Sequence, residues 1–403
     1  MALLSVADAL ARVLEHARPL PAESVPLLDA MGRLLTDGIA ARRSQPPADV
    51  SAMDGYAVRA ADVATVPASL KVIGEVPAGH PFARPIKPGE AARIFTGGFL
   101  PDGADTVVIQ ENTTRDGNVV VINASAPPAK NVRRAGLDFR TGDVLLPASH
   151  RLTARDLALA AAMNHPTLPV HRRPKVAMLA TGDELVAPGT EPRPGQIVYS
   201  NGFAILGLAR SEGADTLDLG VAPDRVPETV AAIRRAREAG TDVLVTSGGA
   251  SVGDYDLVQD ALKEEGIALS FWKIAMRPGR PMMHGRIGDM HVLGLPGNPV
   301  SAYVCAVLFL IPLLRRLSGR TDLTLPEEQA RLGCDLPGND EREDYLRARL
   351  EQDEAGRWIA TPFQTQDSSM LAPLAQGGAL VIRGPLAQPA RAGEPCRMLR
   401  LAV

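Results

Sequence analysis

Between Lys175 and Leu317 the chain alternates two hydrophobic periods, and this alternation restricts its possible folds more than any other feature. Strand-like Lys175–Ala180 gives way to a helical stretch at Phe203–Glu212, an apolar run to Val221 and a second helical stretch at Pro227–Ala239. Val243–Thr246, a helix near Leu257–Glu265 and strands around Phe271 and Val292 follow, closed by the apolar helix to Leu317. Repeated strand–helix units bury their apolar faces together when the strands form a parallel sheet and the helices cover it. An α/β domain over 171–318 is therefore expected. Ligands of such sheets bind beyond the carboxyl ends of the strands.

The flanking segments have other textures. Residues 1–45 read as helices broken near Pro19 and Pro21, and Leu152–Met163 is helical again. Between them lie short β-like runs at Leu70–Val76, Ala92–Phe95, Thr106–Gln110 and Asn118–Asn123, punctuated by Pro and Gly. This predicts a β module over 46–139, inserted into a helical N-terminal domain made of 1–45 and 140–170. After Arg320 the strand signal returns, and Tyr345–Glu351 sets Leu346, Ala348 and Leu350 on one face, Arg347 and Arg349 on the other. Residues 319–403 thus form a fourth, β-rich module. A chain of 403 residues accommodates this, since its length alone suggests roughly two to four domains.

Composition removes several function classes. The net charge of −3 gives no basic footprint for nucleic acid, and 4% aromatic residues give little surface for base stacking. Cys305, Cys334 and Cys396 are odd in number and far apart, which fits reduced thiols rather than a disulfide framework or a CxxC metal knuckle. The chain opens on an amphipathic helix carrying Asp8 and Glu15, not on a signal peptide. The apolar run Val300–Leu314 is shorter than a membrane span and contains Pro312, so a buried core helix is expected. A soluble, cytoplasmic protein without membrane contact is the expectation.

Two loops at strand ends carry unusual chemistry. The first, A-T-G-D-E-L, holds Thr181, Gly182, Asp183 and Glu184, which also suit helix capping or a solvated loop. In the second, Ser247, Gly248, Gly249, Ser251 and Gly253 precede Asp254 and Asp256 at the start of a helix. Glycines let backbone N–H groups approach phosphate, and a helix N-terminus favours anions. Acidic residues there would repel phosphate unless a cation lies between, and Mg²⁺ takes one or two carboxylates plus phosphate oxygens. The loop reads as a phosphate and Mg²⁺ site, with helix capping as the alternative for Asp254 and Asp256.

Three further segments supply partners. Pro296, Gly297, Asn298 and Pro299 form a rigid turn ahead of the apolar helix, with Asn298 and Ser301 as suitable donors to an anion. Lys273, Arg277 and Arg280 surround a Pro-Gly turn, as an oxyanion clamp or as a solvated edge. In the β module, Asp54 with Gly55, and Thr96 with Gly97 and Gly98, read as turns when taken alone. No Ser/His/Asp order, zinc spacing or Walker loop is present, and G-G-A-S-V-G lacks the spacing of a dinucleotide fingerprint.

Taken together and in order, these segments resemble the molybdopterin molybdenumtransferase (MoeA) family. The matching stretches are S-A-M-D-G-Y-A-V at 51–58, I-F-T-G-G-F-L-P-D-G-A-D at 94–105, V-R-R-A-G-L-D at 132–138 and A-T-G-D-E-L at 180–185. They continue with S-G-G-A-S-V-G-D-Y-D at 247–256, K-I-A-M-R-P-G-R-P at 273–281 and L-P-G-N-P-V-S at 295–301. The resemblance implies a molybdopterin-binding α/β domain, a C-terminal β barrel, and a homodimer whose active cleft is shared between subunits. It implies molybdenum insertion into adenylyl-molybdopterin, using molybdate and Mg²⁺ and releasing AMP, with transient contact to the adenylyltransferase that precedes it. Asp54, Thr96, Asp138, Glu184, Asp224 and Asp256 match the family's functional positions, with Asp256, Glu184 and Asp224 as the Mg²⁺ candidates. Pro296 and Pro299 match its turn, and Ser368 its C-terminal serine loop. Arginine at 277 and 280, where lysine is frequent in the family, alters the geometry of any oxyanion contact. A tungsten-inserting relative, the adenylyltransferase itself and a non-catalytic scaffold are the alternatives.

Overall fold

The computed structural model describes residues 3–248 and 257–401, apart from the side chains of Phe271 and Trp272. It divides into two compact units, residues 1–23 with 171–403 and residues 24–170.

The first unit is built on a six-stranded sheet. Its strands are β1 (Lys175–Thr181), β2 (Asp215–Ala222), β3 (Val243–Ser247), β4 (Ala268–Lys273), β5 (Pro281–Ile287) and β6 (Met290–Leu295), in the order β2-β1-β3-β6-β5-β4. The first four in that order are parallel, while β5 and β4 add as an antiparallel edge, so the sheet is mixed rather than wholly parallel. The sequence reading missed β5, whose P-M-M-H-G-R-I carries a glycine and two polar residues in place of a continuous apolar run.

Helices cover both faces, as the strand–helix alternation requires. Helices α3 (Val226–Glu238) and α4 (Leu257–Glu264) bury Val230, Ile233, Val258 and Leu262 against Leu179, Leu244 and Val292. The other face receives α1 (Val6–Leu14), α2 (Asn201–Ser211) and α5 (Pro299–Leu317). Ser5 starts α1 by accepting the Asp8 N–H at 3.0 Å, and the apolar stripe places Ala9 and Val13 in the sheet's core. Residues 1–23 therefore belong with the α/β unit, not with the expected helical N-terminal domain. The stripe of α1 finds its apolar partner there.

Helix α5 is long and apolar enough to cross a membrane, yet 83% of its apolar window is buried inside the protein. Pro312 lacks an N–H and cannot complete the i→i−4 ladder. The preceding turn, Ala306–Leu310, widens to π geometry, and the Ile311 N–H reaches the Ala306 carbonyl. At its end, Arg315 and Arg320 are both buried and pair with Glu212, which tethers α5 to the end of α2.

The C-terminal module is a closed five-stranded barrel. Strands β7 (Glu327–Leu332), β8 (Glu343–Gln352), β9 (Trp358–Pro362), β10 (Ala379–Arg383) and β11 (Pro395–Arg400) run β8-β9-β7-β11-β10, and β10 pairs back to β8. Arg347 and Arg349 share one face of β8, as the alternation places them, but differ in exposure. Arg347 does not face solvent beside Arg349: it is 1% exposed, because loop 363–370 covers that face and takes up its guanidinium.

In the second unit a six-stranded sheet joins Gly55–Val58, Ala68–Val76, Glu90–Ile94, Thr106–Ile109, Thr113–Asp116 and Val119–Ile122. This is the predicted β module. Around it, residues 24–45 hold the end of the strand Ala22–Pro26, the 3₁₀ turn Leu27–Ala30, the two-residue strand Ile39–Ala40 and isolated bridges, and Ala154–Ala162 is the one α-helix among the described residues of this unit. Pro21, Pro26, Gly32 and Gly38 leave no uninterrupted stretch long enough for the helices expected over 24–45.

Candidate functional site

Strand register decides which loops of the α/β sheet converge. Thr181 pairs with Ala222, Ala180 with Ser247, and Ser247 with Leu295. The carboxyl ends of β1, β2, β3 and β6 therefore share one edge. From it rise Gly182–Glu184, Pro223–Asp224, Gly248 and the turn Pro296–Pro299.

Two aspartates lock the first pair of loops. The Asp183 N–H donates to Asp224 Oδ2 at 3.3 Å, and the Asp224 N–H donates to Asp183 Oδ1 at 3.2 Å. Glu184 is exposed, and its carboxylate lies over Gly182, where a Cβ would fall 2.5 Å from Oε2. Glu184 and Asp224 are thus both at the open edge. Asp183 provides the lock between their loops.

A single amide joins the other pair. Asn201, at the start of α2, donates from Nδ2 to Ser247 Oγ at 2.8 Å and to the Gly297 carbonyl at 2.7 Å. Sequence reasoning missed Asn201; the only signal was a polar residue opening a helix directly after a loop. Gly248 is glycine for a reason, since its φ is +97° and a Cβ would lie 2.9 Å from the Thr181 carbonyl oxygen. Gly249, Ser251, Gly253, Asp254 and Asp256 lie outside the described residues.

The barrel contributes to the turn after β6. Pro296 is buried, Pro299 opens α5, and Asn298 donates from Nδ2 to Ser368 Oγ at 2.9 Å. The Val300 N–H donates to the Ser368 carbonyl at 3.0 Å. The resemblance to the serine loop therefore leads to a residue in contact with the predicted turn. Arg347 holds that loop, donating from Nη1 to the Met370 carbonyl at 2.8 Å and, over longer distances, to Gln366 Oε1 (3.3 Å) and the Thr365 carbonyl (3.4 Å). Burial pulls the Arg347 pKa down from its ordinary value, and the carboxylate of Asp367 works against that. Ser301, by contrast, is 5% exposed within α5, so its hydroxyl is covered and not open to an anion.

The basic motif divides. Lys273 is exposed at the end of β4, and no carboxylate among the described residues pairs with it. Arg280 is exposed too. Arg277 is already engaged. Its Nε donates to Asp344 Oδ1 at 2.9 Å, its Nη2 to Asp344 Oδ2 and, at 3.2 Å, to Asn339 Oδ1, while Nη1 lies 3.6 Å from Asp340. Asp344 is buried on β8, so this pair tethers the loop after β4 to the barrel. An oxyanion clamp at Arg277 would have to break it. Asp340, beside it, is held down to about 2 by its bonds to Arg342, with Arg277 adding to the effect. A cavity of about 570 Å³ opens along this junction, lined by Arg277, Phe363, Gln366 and Arg383 among others.

In the second unit, S-A-M-D-G-Y-A forms more than a turn. Asp54 accepts the Thr96 N–H at 2.7 Å and the Thr96 hydroxyl at 2.8 Å, which lowers its pKa from 3.8. The strand after it passes so close to its neighbour that a Cβ on Gly55 would lie 2.0 Å from the Val108 carbonyl oxygen. Asp138 is exposed, and among the described residues no contact joins its carboxylate to Asp54 or Thr96. Also among the described residues, no group of three or more His, Cys, Asp or Glu side chains is placed to hold a metal ion.

Three family models account for nearly the whole chain. The MoeA N-terminal region (domain I and II) matches residues 4–164, the probable molybdopterin binding domain 177–316, and the MoeA C-terminal region (domain IV) 329–401. The chain belongs to the MoeA family. The molybdopterin molybdenumtransferase of Nostoc sp. is 37% identical over 89% of this chain and 84% of its own length. The Bacillus subtilis protein of the same name is 33% identical over 94% and 90%. A crystal structure of the molybdopterin biosynthesis MoeA protein from Pyrococcus horikosii superposes with a TM-score of 0.86 at 32% identity, covering 100% of both chains. The family match joins the α/β unit, the barrel and the β module in one protein, as their motifs suggested.

Proposed function

We propose that this chain inserts molybdenum into molybdopterin, taking adenylyl-molybdopterin and molybdate and releasing AMP, in the cytoplasm. One observation carries the reading. The carboxyl edge of the sheet gathers exposed Glu184 and Asp224 beside the linked Ser247, Asn201, Asn298 and Ser368. A polyanionic substrate needs both features, a carboxylate pair to recruit a cation and neutral donors to fix its oxygens.

Glu184 and Asp224 offer hard oxygen donors, and two carboxylates suffice for Mg²⁺, which keeps waters and phosphate oxygens as its remaining ligands. These two, with Asp256, would hold it, and bound Mg²⁺ would offset the charge of the substrate's pyrophosphate. Lys273 supplies positive charge for molybdate, with Arg277 at the edge of the same region. The Ser247, Asn298 and Ser368 side chains orient the substrate, and no side chain acts as a covalent nucleophile. Asp54, Thr96 and Asp138 complete the cleft from the second subunit of a homodimer. Adenylyl-molybdopterin would arrive by transient contact with the adenylyltransferase.

The test is AMP release from adenylyl-molybdopterin with molybdate and Mg²⁺. Glu184→Gln and Asp224→Asn should each slow it by ~10²–10³, the scale for losing one preorganised electrostatic contact. Full activity in both variants, or activity indifferent to chelation of Mg²⁺, would overturn the reading. Replacing molybdate by tungstate separates the two metals: faster turnover with tungstate would assign the chain to the tungsten-inserting branch.

A further inference from the structure

We propose that the α/β domain carries a second ligand site, for a small dianionic oxyanion, between α1 and the antiparallel β4–β5 edge. A cavity of about 510 Å³ lies there, lined by Arg12, Glu15, His16, Ser270, His284 and Arg286, with two small residues. It is remote in register from the edge described above. His291 is the second residue of β6 and pairs with Val243, the first of β3, so this is the amino-terminal end of the parallel strands.

Strand alternation brings the polar residues together. On β5, Met282, His284 and Arg286 share one face, and Met282 packs in the core that contains α1. On β6, His291 shares that face with Leu293. His284 and His291 are 8% and 2% exposed, and His284 Nε2 lies 3.4 Å from His291 Nδ1. Hydrophobic side chains would suit such positions if packing were their whole purpose.

The charge balance favours an anion. Arg12 and Arg286 are both cationic, and Glu15 is the one carboxylate in the lining. Arg286 donates from Nη2 to the Gly288 carbonyl at 3.0 Å and lies 3.7 Å from fully exposed Asp289, but its Nε is buried with no hydrogen-bond partner. The side chain as a whole is 29% exposed, so the outer N–H groups of its guanidinium remain able to donate to an oxyanion in the cavity they line.

The imidazole pair makes binding sensitive to protons. Burial first, then Arg286 and His16, lower His284 to about 4. Burial first, then His284, Arg286 and His16, lower His291 to about 3. The charged and titratable groups facing the pair are Arg12, Glu15 and His16 from α1 and the turn after it, and Arg286 from β5. Asp242, whose carbonyl takes the His291 N–H, pairs its carboxylate with Arg172. A dianion in the cavity offsets the repulsion from Arg286 and His16, so the imidazole pKa values rise on binding. By linkage, affinity then increases as pH falls through the raised values and levels off near the unliganded ones.

Inorganic sulfate is a suitable probe, because it remains a dianion across this range. The full chain, labelled with ¹⁵N at histidine, is titrated with sulfate at pH 8 and pH 5 while the His284 and His291 imidazole resonances are followed. The expected result is saturable binding about twofold tighter at pH 5 than at pH 8, since a rise of about one pKa unit from about 4 at His284 is only partly expressed at pH 5. Arg286→Gln should weaken it at least tenfold, and so should Arg12→Gln at an exposed position of α1, with folding of each variant checked by the dispersion of its amide resonances. Glu15→Gln should strengthen binding at pH 8 and leave the pH trend in place. Competition between sulfate and glycerol phosphate identifies whether a free oxyanion or a phosphomonoester is the better ligand. The proposal is overturned by absence of saturable binding, by equal affinity in wild type and both arginine variants, or by affinity flat between pH 8 and pH 5.

Discussion

Replacing Arg347 by Met should loosen the contact between barrel and α/β domain without emptying the space the side chain fills. The loss can be worked from its bonds. Only the one to Met370 has full-strength geometry, at 2.8 Å; those to Gln366 and Thr365 are long, at 3.3 and 3.4 Å. A hydrogen bond from a charged donor contributes ~1.5–3 kcal/mol, and the orphaned Met370 carbonyl costs ~1–3 kcal/mol more. Removing the desolvation cost of a buried guanidinium offsets part of this, leaving about 2 kcal/mol net. Gln366 still bonds the Arg347 backbone in both directions at 3.0 Å, so the loop stays attached at one end. The effect should therefore be local. Hydrogen exchange reads it at the Val300 amide, which donates to the Ser368 carbonyl, and across 365–370. Protection there should fall about 30-fold, since 1.4 kcal/mol is a factor of ten. Protection within about threefold of wild type at Val300 would refute the claim that Arg347 positions Ser368.

Three other outcomes are expected. In a double-mutant cycle on urea stability, Arg277→Met and Asp344→Leu should show about 1–2 kcal/mol of coupling, discounted because Arg277 is half exposed; additive losses would rule out the tether. Asp54, with its pKa lowered by Thr96, contributes stability that is present above the ordinary carboxylate range and lost as pH falls through its lower folded value. Thr96→Val removes the hydroxyl but keeps the N–H, so carboxyl ¹³C titration should move partway back up; an unchanged titration would contradict the assignment. Finally, Asp54→Ala and Asp256→Ala homodimers should each be inactive, yet recover about a quarter of wild-type AMP release after subunit exchange, given random pairing in a two-fold dimer. Proven exchange without recovery would place both residues in one chain's site.

How much of this was legible in the sequence depends on the distance over which each signal acts. The α/β alternation, the β module and α5 follow from local periodicity, and their elements fall within a few residues of the expected positions. Periodicity shows that α1 has an apolar stripe; it does not show which core receives it, and the sheet of 171–403 took it from the expected N-terminal domain. The burial of Arg347 was hidden for a related reason. Alternation put it on the face opposite Leu346, correctly, but that face is covered by a loop some twenty residues later in the chain.

The site divides along the same line. Glu184, Ser247 and Asn298 drew attention because they lie in loops or turns that follow strands and carry Gly, Pro, Ser or acidic residues, whereas Asp224 was singled out only by the family resemblance. The roles of Asn201 and Arg277 were not legible, because they are set by partners 46 and 67 residues away. Asn201 resembles any polar helix start until Ser247 and Gly297 are placed on either side of it. Arg277 resembles a free cation until the barrel closes and Asp344 is buried opposite. A charged residue in a motif shows that charge is needed, while the fold determines whether a ligand or the protein itself receives it. Lys273, four residues before Arg277 and without a carboxylate partner among the described residues, therefore carries the stronger case for the molybdate contact. Lys273→Ala should raise the molybdate concentration for half-maximal turnover more than Arg277→Ala does, once each rate is corrected for the fraction folded. The opposite order would mean that the Arg277–Asp344 pair opens when substrate binds.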